Sequence, residues 1–169
     1  MNGAHRFAPL MATLLVLLLD RVTKYAIEKH VSAWDNLVMI PNLFSIVHAQ
    51  NRGAAFSLLA DASDTWRGVF LIGISSAVML FVASMLWQSI RAPETHGVLL
   101  RYGLSLVLGG ALGNLYDRIV AGSVTDFFLF YYGNWQFPVF NIADSAITVG
   151  AGLLIVDMLL PRRRLTHVS

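Results

Sequence analysis

The stretch "FPVFNIADSAITVGAGLLIVDMLLPRRR", Phe137 to Arg164, decides how the chain is read. Val139 to Leu160 is 22 residues, which as a helix runs about 33 Å and matches a hydrocarbon core of about 30 Å. Pro161 and three arginines close it, as expected where a spanning helix meets the membrane surface. Yet a carboxylate, Asp144, stands a few residues inside this run. An ionisable group is costly there and is by default a functional hypothesis.

The rest of the composition agrees with a membrane protein. Of 169 residues, 56% are hydrophobic and 13% charged, and the mean hydropathy is +0.63, well to the apolar side of ordinary globular chains. The net charge is +2, but the basic residues form no patch interleaved with aromatics, so nucleic acid is not an expected partner. With no cysteine, thiolate nucleophiles and Cys-ligated metals are excluded. The five histidines are scattered without ligand spacing, so no metal cofactor is expected.

Three further apolar segments precede the last one. They cover about 7–27, 68–87 and 97–116, and the opening stretch supplies 139–160. The first resembles the charged and apolar regions of a signal peptide after Arg6, but no small-residue cleavage site follows and helical spacing continues through Asp20 and Lys24. A retained helix is therefore expected. "QSIRAPETH" between the second and third segments is a short polar turn, which predicts an antiparallel hairpin.

The fold class expected is an all-α membrane protein, one integral domain over 1–169 with four transmembrane helices. Four spans put both termini on one side. Basic residues divide six and six between the two sides, but Arg6, Arg91, Arg101 and Arg162 to Arg164 lie in short tails and a tight loop or just inside it. There the positive-inside effect is strongest, so the termini are expected in the cytoplasm. The long connections, about 28–66 and 117–138, fall outside. They hold short β-like runs punctuated by Pro41, Gly53, Gly122, Gly133 and Pro138, with Trp34, Trp66, Trp135, Tyr131 and Tyr132 suited to a membrane surface.

Most acids gather at that outer side. Asp126 precedes "FFLFYY", which would bury it among aromatics. If Asp126 and Asp144 meet in a partly dehydrated site, they cannot both ionise, and the shared proton gives one general acid and one general base. Spacing alone leaves open that Asp144 only bonds a neighbouring helix and Asp126 only caps a turn. Asn141, Asp144, Ser145 and Thr148 recur at helical spacing and are expected to form an inward polar stripe. A matching face of the third segment carries Gly110, Asn114, Asp117 and Arg118, with Gly109 and Gly113 spaced for close helix approach. On the first segment Asp20 and Lys24 are four apart and able to pair. Glu28 and Asp35 read as solvated loop charges.

Five blocks carry a resemblance: "LDRVTK" (Leu19 to Lys24), "NRGAAFS" (Asn51 to Ser57), "GGALGNLYDRI" (Gly109 to Ile119), "GSVTDFF" (Gly122 to Phe128) and "FNIADSAITVG" (Phe140 to Gly150). In this order they resemble bacterial lipoprotein signal peptidase, also called signal peptidase II. The resemblance implies an aspartyl endopeptidase of the inner membrane, four helices with a small extracytoplasmic β-element, and an active site near the outer face. Its implied substrate is a prolipoprotein carrying a diacylglyceryl cysteine, cut just before that cysteine, with membrane lipid as the other partner. Asp126 and Asp144 fall on the family's catalytic pair. Asn51, Gly53, Asn114, Arg118, Asn141, Asp20 and Lys24 fall on positions that bind substrate or support the pair. A proton-coupled transporter and a non-catalytic assembly subunit are the alternatives. The first needs a polar path that the inner helix halves lack apart from Arg101 and Asp157, and the second leaves the two acids unexplained.

Overall fold

A computed structural model describes residues 7–53 and 64–160. Most of the Asn51–Ser57 block and the triple arginine lie outside them. The chain runs α1 (Ala8–His30), β1 (Asn36–Ile40), β2 (Phe44–Asn51), α2 (Asp64–Arg91), α3 (Val98–Val120), β3 (Val124–Tyr132), β4 (Trp135–Gln136) and α4 (Ile142–Leu159). The helices outrun the apolar segments that predict them, because backbone bonding continues through Lys29 and His30, through Gln88 to Arg91, and through Asp117 to Val120.

Three helices, α2 from Gly68, α3 and α4, are long and apolar enough to cross a membrane. Four spans were expected, and α1 does not meet that measure. Its second half carries Asp20, Arg21, Lys24, Glu28 and Lys29, which dilute the apolar run. Its outward face is nonetheless greasy, with Leu14, Leu15, Leu18 and Val22 exposed.

α3 is the central element. On one side Leu104 and Leu108 pack with Val82, Leu86 and Ile90 of α2. On another it runs parallel to α1, where the Thr13 hydroxyl donates to the Ser105 carbonyl at 3.0 Å and Gly109 lies against Thr13 and Val16. On the third it runs antiparallel to α4. A Cβ on Gly110 would collide with the Ala143 carbonyl oxygen and come within 2.8 Å of Ile147. Only a hydrogen at this position lets the two backbones approach, which is the small-residue packing expected in lipid.

The sheet is four-stranded in the order β1-β2-β3-β4 and antiparallel. Pro41 and Asn42 turn β1 into β2, with Asn42 at φ 59° and the Leu43 N–H donating to Ile40 O at 3.1 Å. Proline presets its own φ and asparagine tolerates the left-handed region, so the pair suits a tight turn. Aromatic contacts among Phe44, Phe128, Phe130, Phe137 and Phe140 consolidate one face.

One connection sets up the site. Phe140 bonds to β3 on both of its backbone groups: its N–H donates to Phe128 O at 3.1 Å, and its carbonyl accepts from the Phe127 and Phe128 N–H groups. The lead-in to α4 is therefore held by an isolated β-bridge to β3, and α4 starts at Ile142 rather than Val139. Asn141 is the N-cap and Asp144 the third helical residue, closing a reciprocal capping box. Asp144 thus sits in the first turn, near the positive end of the helix dipole, and not within the apolar run. The inward polar stripe is likewise revised. Asn141 is buried, but the buried face continues through Ala143, Ala146 and Gly150, while Thr148 is exposed and back-bonds to the Asp144 carbonyl.

Candidate active site

Five elements, β2, β3, α1, α3 and α4, bring the predicted residues together at one end of α3. β3 carries Asp126, which is 2% exposed. Its Oδ2 accepts from the Asn51 amide at 2.9 Å and its Oδ1 from the Asn141 amide at 2.6 Å. Asp144 Oδ1 accepts from the Asn114 amide at 2.8 Å, and its Oδ2 accepts from the Asn141 backbone N–H at 3.2 Å. Asn141 is fully buried and stands between the two acids, with a donor for each.

Behind the pair lies a buried ionic cluster. Lys24 is 0% exposed, and its ammonium reaches Asp20 Oδ2 at 2.8 Å, Asp117 Oδ2 at 2.7 Å and Asn114 Oδ1 at 3.0 Å. The ammonium donates hydrogen bonds to Asp20 and Asn114 and makes an ion pair with Asp117, whose Oδ2 accepts no hydrogen bond among the described residues. The bond to Asn114 fixes which end of that amide faces Asp144. Asp20 Oδ1 accepts from the Ala143 N–H at 3.0 Å, tying α1 to the first turn of α4. A Cβ on Gly113 would strike the Asp20 carboxylate.

Arg118 lies beside the acids. Its Nη1 donates to Asn114 O at 3.4 Å, while its buried Nε has no hydrogen-bond partner among the described residues. The carboxylates it feels are Asp144, Asp126 and Asp117. Gly53 is placed differently. It touches neither acid, but its N–H donates to Asn51 Oδ1 at 2.9 Å, and at φ +89° it packs where a side chain would meet Leu71. It shapes the turn that aims Asn51 at Asp126.

The charge balance is informative. Asp20, Asp117, Asp126 and Asp144 face Lys24, Arg21 and Arg118, four carboxylates against three cations. Asp126, on β3, is raised from the ordinary carboxylate range. Its pKa stands at about 6 as the net of several causes: burial raises it most, the Asn51 bond opposes this, the Asp144 charge adds to the rise, and the Asn141 bond and the Lys24 charge oppose it. Such a group takes up a proton close to neutrality, which is what a shared-proton pair needs.

Two participants escaped sequence reasoning. Asp117 was grouped on the α3 face without a role, yet it holds both Lys24 and Arg21, and the Arg21 guanidinium stacks on Tyr116 at 4.5 Å. Thr125 offers its carbonyl to Asn141 and its hydroxyl to Glu28 at 2.7 Å. Glu28, read as a solvated loop charge, is an exposed acid on the last turns of α1 that fastens this helix to β3. No group of three or more histidine or acidic side chains placed to hold a metal ion occurs among the described residues.

A helical membrane protein with two carboxylates bridged by one asparagine is the class that fold and site define. The sequence profile described as Signal peptidase (SPase) II matches residues 12–160. The chain is 44% identical over 155 residues to the lipoprotein signal peptidase of Solibacter usitatus, covering 92% of each. It is 47% identical over 151 residues to that of Pseudomonas aeruginosa, covering 88% of this chain and 86% of the relative. A solved bacterial membrane enzyme, determined by the in meso method at 1.9 Å, superposes with a TM-score of 0.76 at 30% identity, over 90% of this chain and 92% of the other. The chain belongs to the signal peptidase II family, a family of peptidases of bacterial membranes.

Proposed function

We propose that the chain is an intramembrane aspartyl endopeptidase. It removes the signal peptide from prolipoproteins whose cysteine carries diacylglycerol, cutting on the N-terminal side of that cysteine. The observation that carries this reading is the bridge through Asn141, which holds Asp126 and Asp144 as a pair while leaving them with one negative charge too many. One proton on the pair removes the excess.

In this reading the ionised carboxylate takes a proton from a water held between the acids, and the water oxygen attacks the scissile carbonyl carbon. The protonated carboxyl gives its proton to the carbonyl oxygen, forming a gem-diol. The carboxyl that took the water proton passes it to the nitrogen while the other carboxylate removes a proton from a gem-diol hydroxyl, so that the C–N bond breaks, a carboxylic acid and an amine are released, and the pair is again left with one proton. Arg118 orients the substrate from the flank, and Lys24 with Asp20 keeps Asn114 and the start of α4 in place.

The chain is read as one integral domain of the bacterial inner membrane, with both termini cytoplasmic and the acids near the outer face. α1 completes four spans, its charges turned into the cluster and its leucines toward lipid. A lipidated cysteine stays at the headgroup layer, where the site can meet the adjacent bond without drawing the lipid out of the bilayer.

The test is cleavage of a lipidated prolipoprotein by purified protein in detergent, for the unmodified chain, Asp126→Asn and Asp144→Asn. Each substitution is expected to abolish cleavage in a folded protein, because an amide cannot act as the general base. Near-normal turnover in either folded variant overturns the reading.

A further inference from the structure

Away from the acids, at the end of the bundle where α1 and α3 begin and α2 and α4 finish, lies a buried cation that no described residue pairs with. Arg101 is 6% exposed, and its Nε is completely buried. No hydrogen bond or ion pair reaches its guanidinium among the described residues. At the other end Lys24 and Arg21 each hold carboxylates, and Arg118 has three nearby carboxylates although its Nε is unpartnered among the described residues. A guanidinium does not give up its proton, so an unpaired one in a dehydrated setting is costly until an anion joins it.

We propose that Arg101 anchors a binding site for a phosphate group at this end. The side chain shares its face of α3 with Leu104, Ser105 and Leu108, three, four and seven residues on. The leucines pack on α2, and the Ser105 carbonyl takes the bond from Thr13 of α1. Arg101 therefore lies in the seam between these two neighbours. Helical side chains lean toward their own N-terminus, which directs the guanidinium out along the seam to the bundle end.

That end has the electrostatics of an anion site. α1 and α3 both begin without a capping side chain and without an acid in the first turn, so two positive helix ends lie there. The described acids at this end are Glu94 and Asp157. Glu94 is exposed, and Asp157 packs on the α4 side, where a Cβ on Gly97 would stand 2.6 Å from its Oδ1. Neither pairs with Arg101. Close by, Arg91 lies over the half-exposed Trp87 ring at 4.8 Å, an arrangement suited to the headgroup layer.

A guanidinium fork fits two oxygens of a phosphate group. Both a phospholipid headgroup and free phosphate present that chemistry, and the experiment separates them. Full-length protein is purified in detergent, stripped of lipid, and titrated with phosphatidylglycerol, with diacylglycerol of the same chains, and with inorganic phosphate, while binding is followed by native mass spectrometry and by the shift in Tm. Phosphatidylglycerol is expected to bind the unmodified chain about tenfold more tightly than Arg101→Met, which keeps the packed stem and loses the charge. Diacylglycerol should bind both alike. An Arg101-dependent Tm shift with phosphate alone assigns the site to the free anion, and its absence assigns it to the lipid. Equal phosphatidylglycerol affinity in the unmodified chain and Arg101→Met overturns the proposal, as does an unmodified chain that does not distinguish phosphatidylglycerol from diacylglycerol. Should Arg101→Met not fold, Arg101→Lys decides: a several-fold weaker affinity supports the fork, and undiminished affinity overturns it. The readout is binding, so it stands apart from the peptidase assay.

Discussion

Asn141 serves Asp126 and Asp144 with different groups, its side-chain amide donating to the first at 2.6 Å and its backbone N–H to the second at 3.2 Å. It also caps α4, its Oδ1 accepting from the Asp144 N–H at 2.9 Å. These roles come apart on substitution. Asn141→Ala loses the cap, a cost of about 1 kcal/mol, together with the bridge, and cleavage should fall by about 100-fold or more. Asn141→Asp keeps an accepting oxygen for the cap but replaces the donor with a carboxylate facing Asp126. Its Tm should fall below that of Asn141→Ala as the pH rises and a third buried carboxylate charge forms beside Asp126 and Asp144, while cleavage stays absent. Recovery of turnover in Asn141→Asp would show that the bridge is dispensable.

The pH dependence follows from Asp126. Cleavage requires one proton on the pair. Below the lower constant both acids are protonated and no base remains, and above the upper one, near 6 for Asp126, both are ionised and no acid remains. The profile of kcat/KM should be bell-shaped with its alkaline limb near pH 6, the two constants belonging to the pair. Asn51→Ala removes a donor that favours the ionised form of Asp126, so that limb should move to higher pH. An unmoved limb, or a profile flat from about pH 4 to about pH 9, contradicts the shared proton.

Lys24 is the test of the cluster. Lys24→Met leaves Asp20 and Asp117 without their buried partner, and removal of one member of such a set costs about 3–5 kcal/mol. A large fall in Tm is expected, with part of it restored when Asp20→Asn is added. Strict additivity of the two changes in thermal melts would mean that the residues are not coupled.

Gly110 and Gly152 make a matched pair on the α3–α4 question. A methyl group on Gly110 meets the Ala143 carbonyl and Ile147, whereas nothing lies within 4 Å of one on Gly152. Gly110→Ala should lower both Tm and turnover, because wedging the helices apart stretches the 2.8 Å bond from Asn114 to Asp144. Gly152→Ala should change neither. Similar behaviour of the two variants in melting and cleavage assays would refute the close approach.

Much of this molecule was legible in the chain. Apolar length located each helix, and the β-branched and aromatic runs located the strands, because burial in lipid or against a sheet demands those side chains. Helix ends were less legible. Hydropathy stops at a charge, but the backbone ladder of α2 runs on to Arg91, and the start of α4 was set by Phe140 joining β3, a pairing with a residue 12 positions away. The acids were visible as misplaced charges, and Asp20 with Lys24 as a helical pair. The attachment of Lys24 and Arg21 to Asp117, more than 90 positions along, had no local signal. Only the packing of α1 against α3 creates it.

The capping box at the start of α4 carries one last implication. Asp144 fastens the helix with the same carboxylate that the proposed chemistry uses. A mutation that evades an inhibitor by altering this group would loosen the scaffold and silence the enzyme together. Escape routes are therefore expected at the rim of the cleft, and drug design aimed at the carboxylate itself meets the fewest of them.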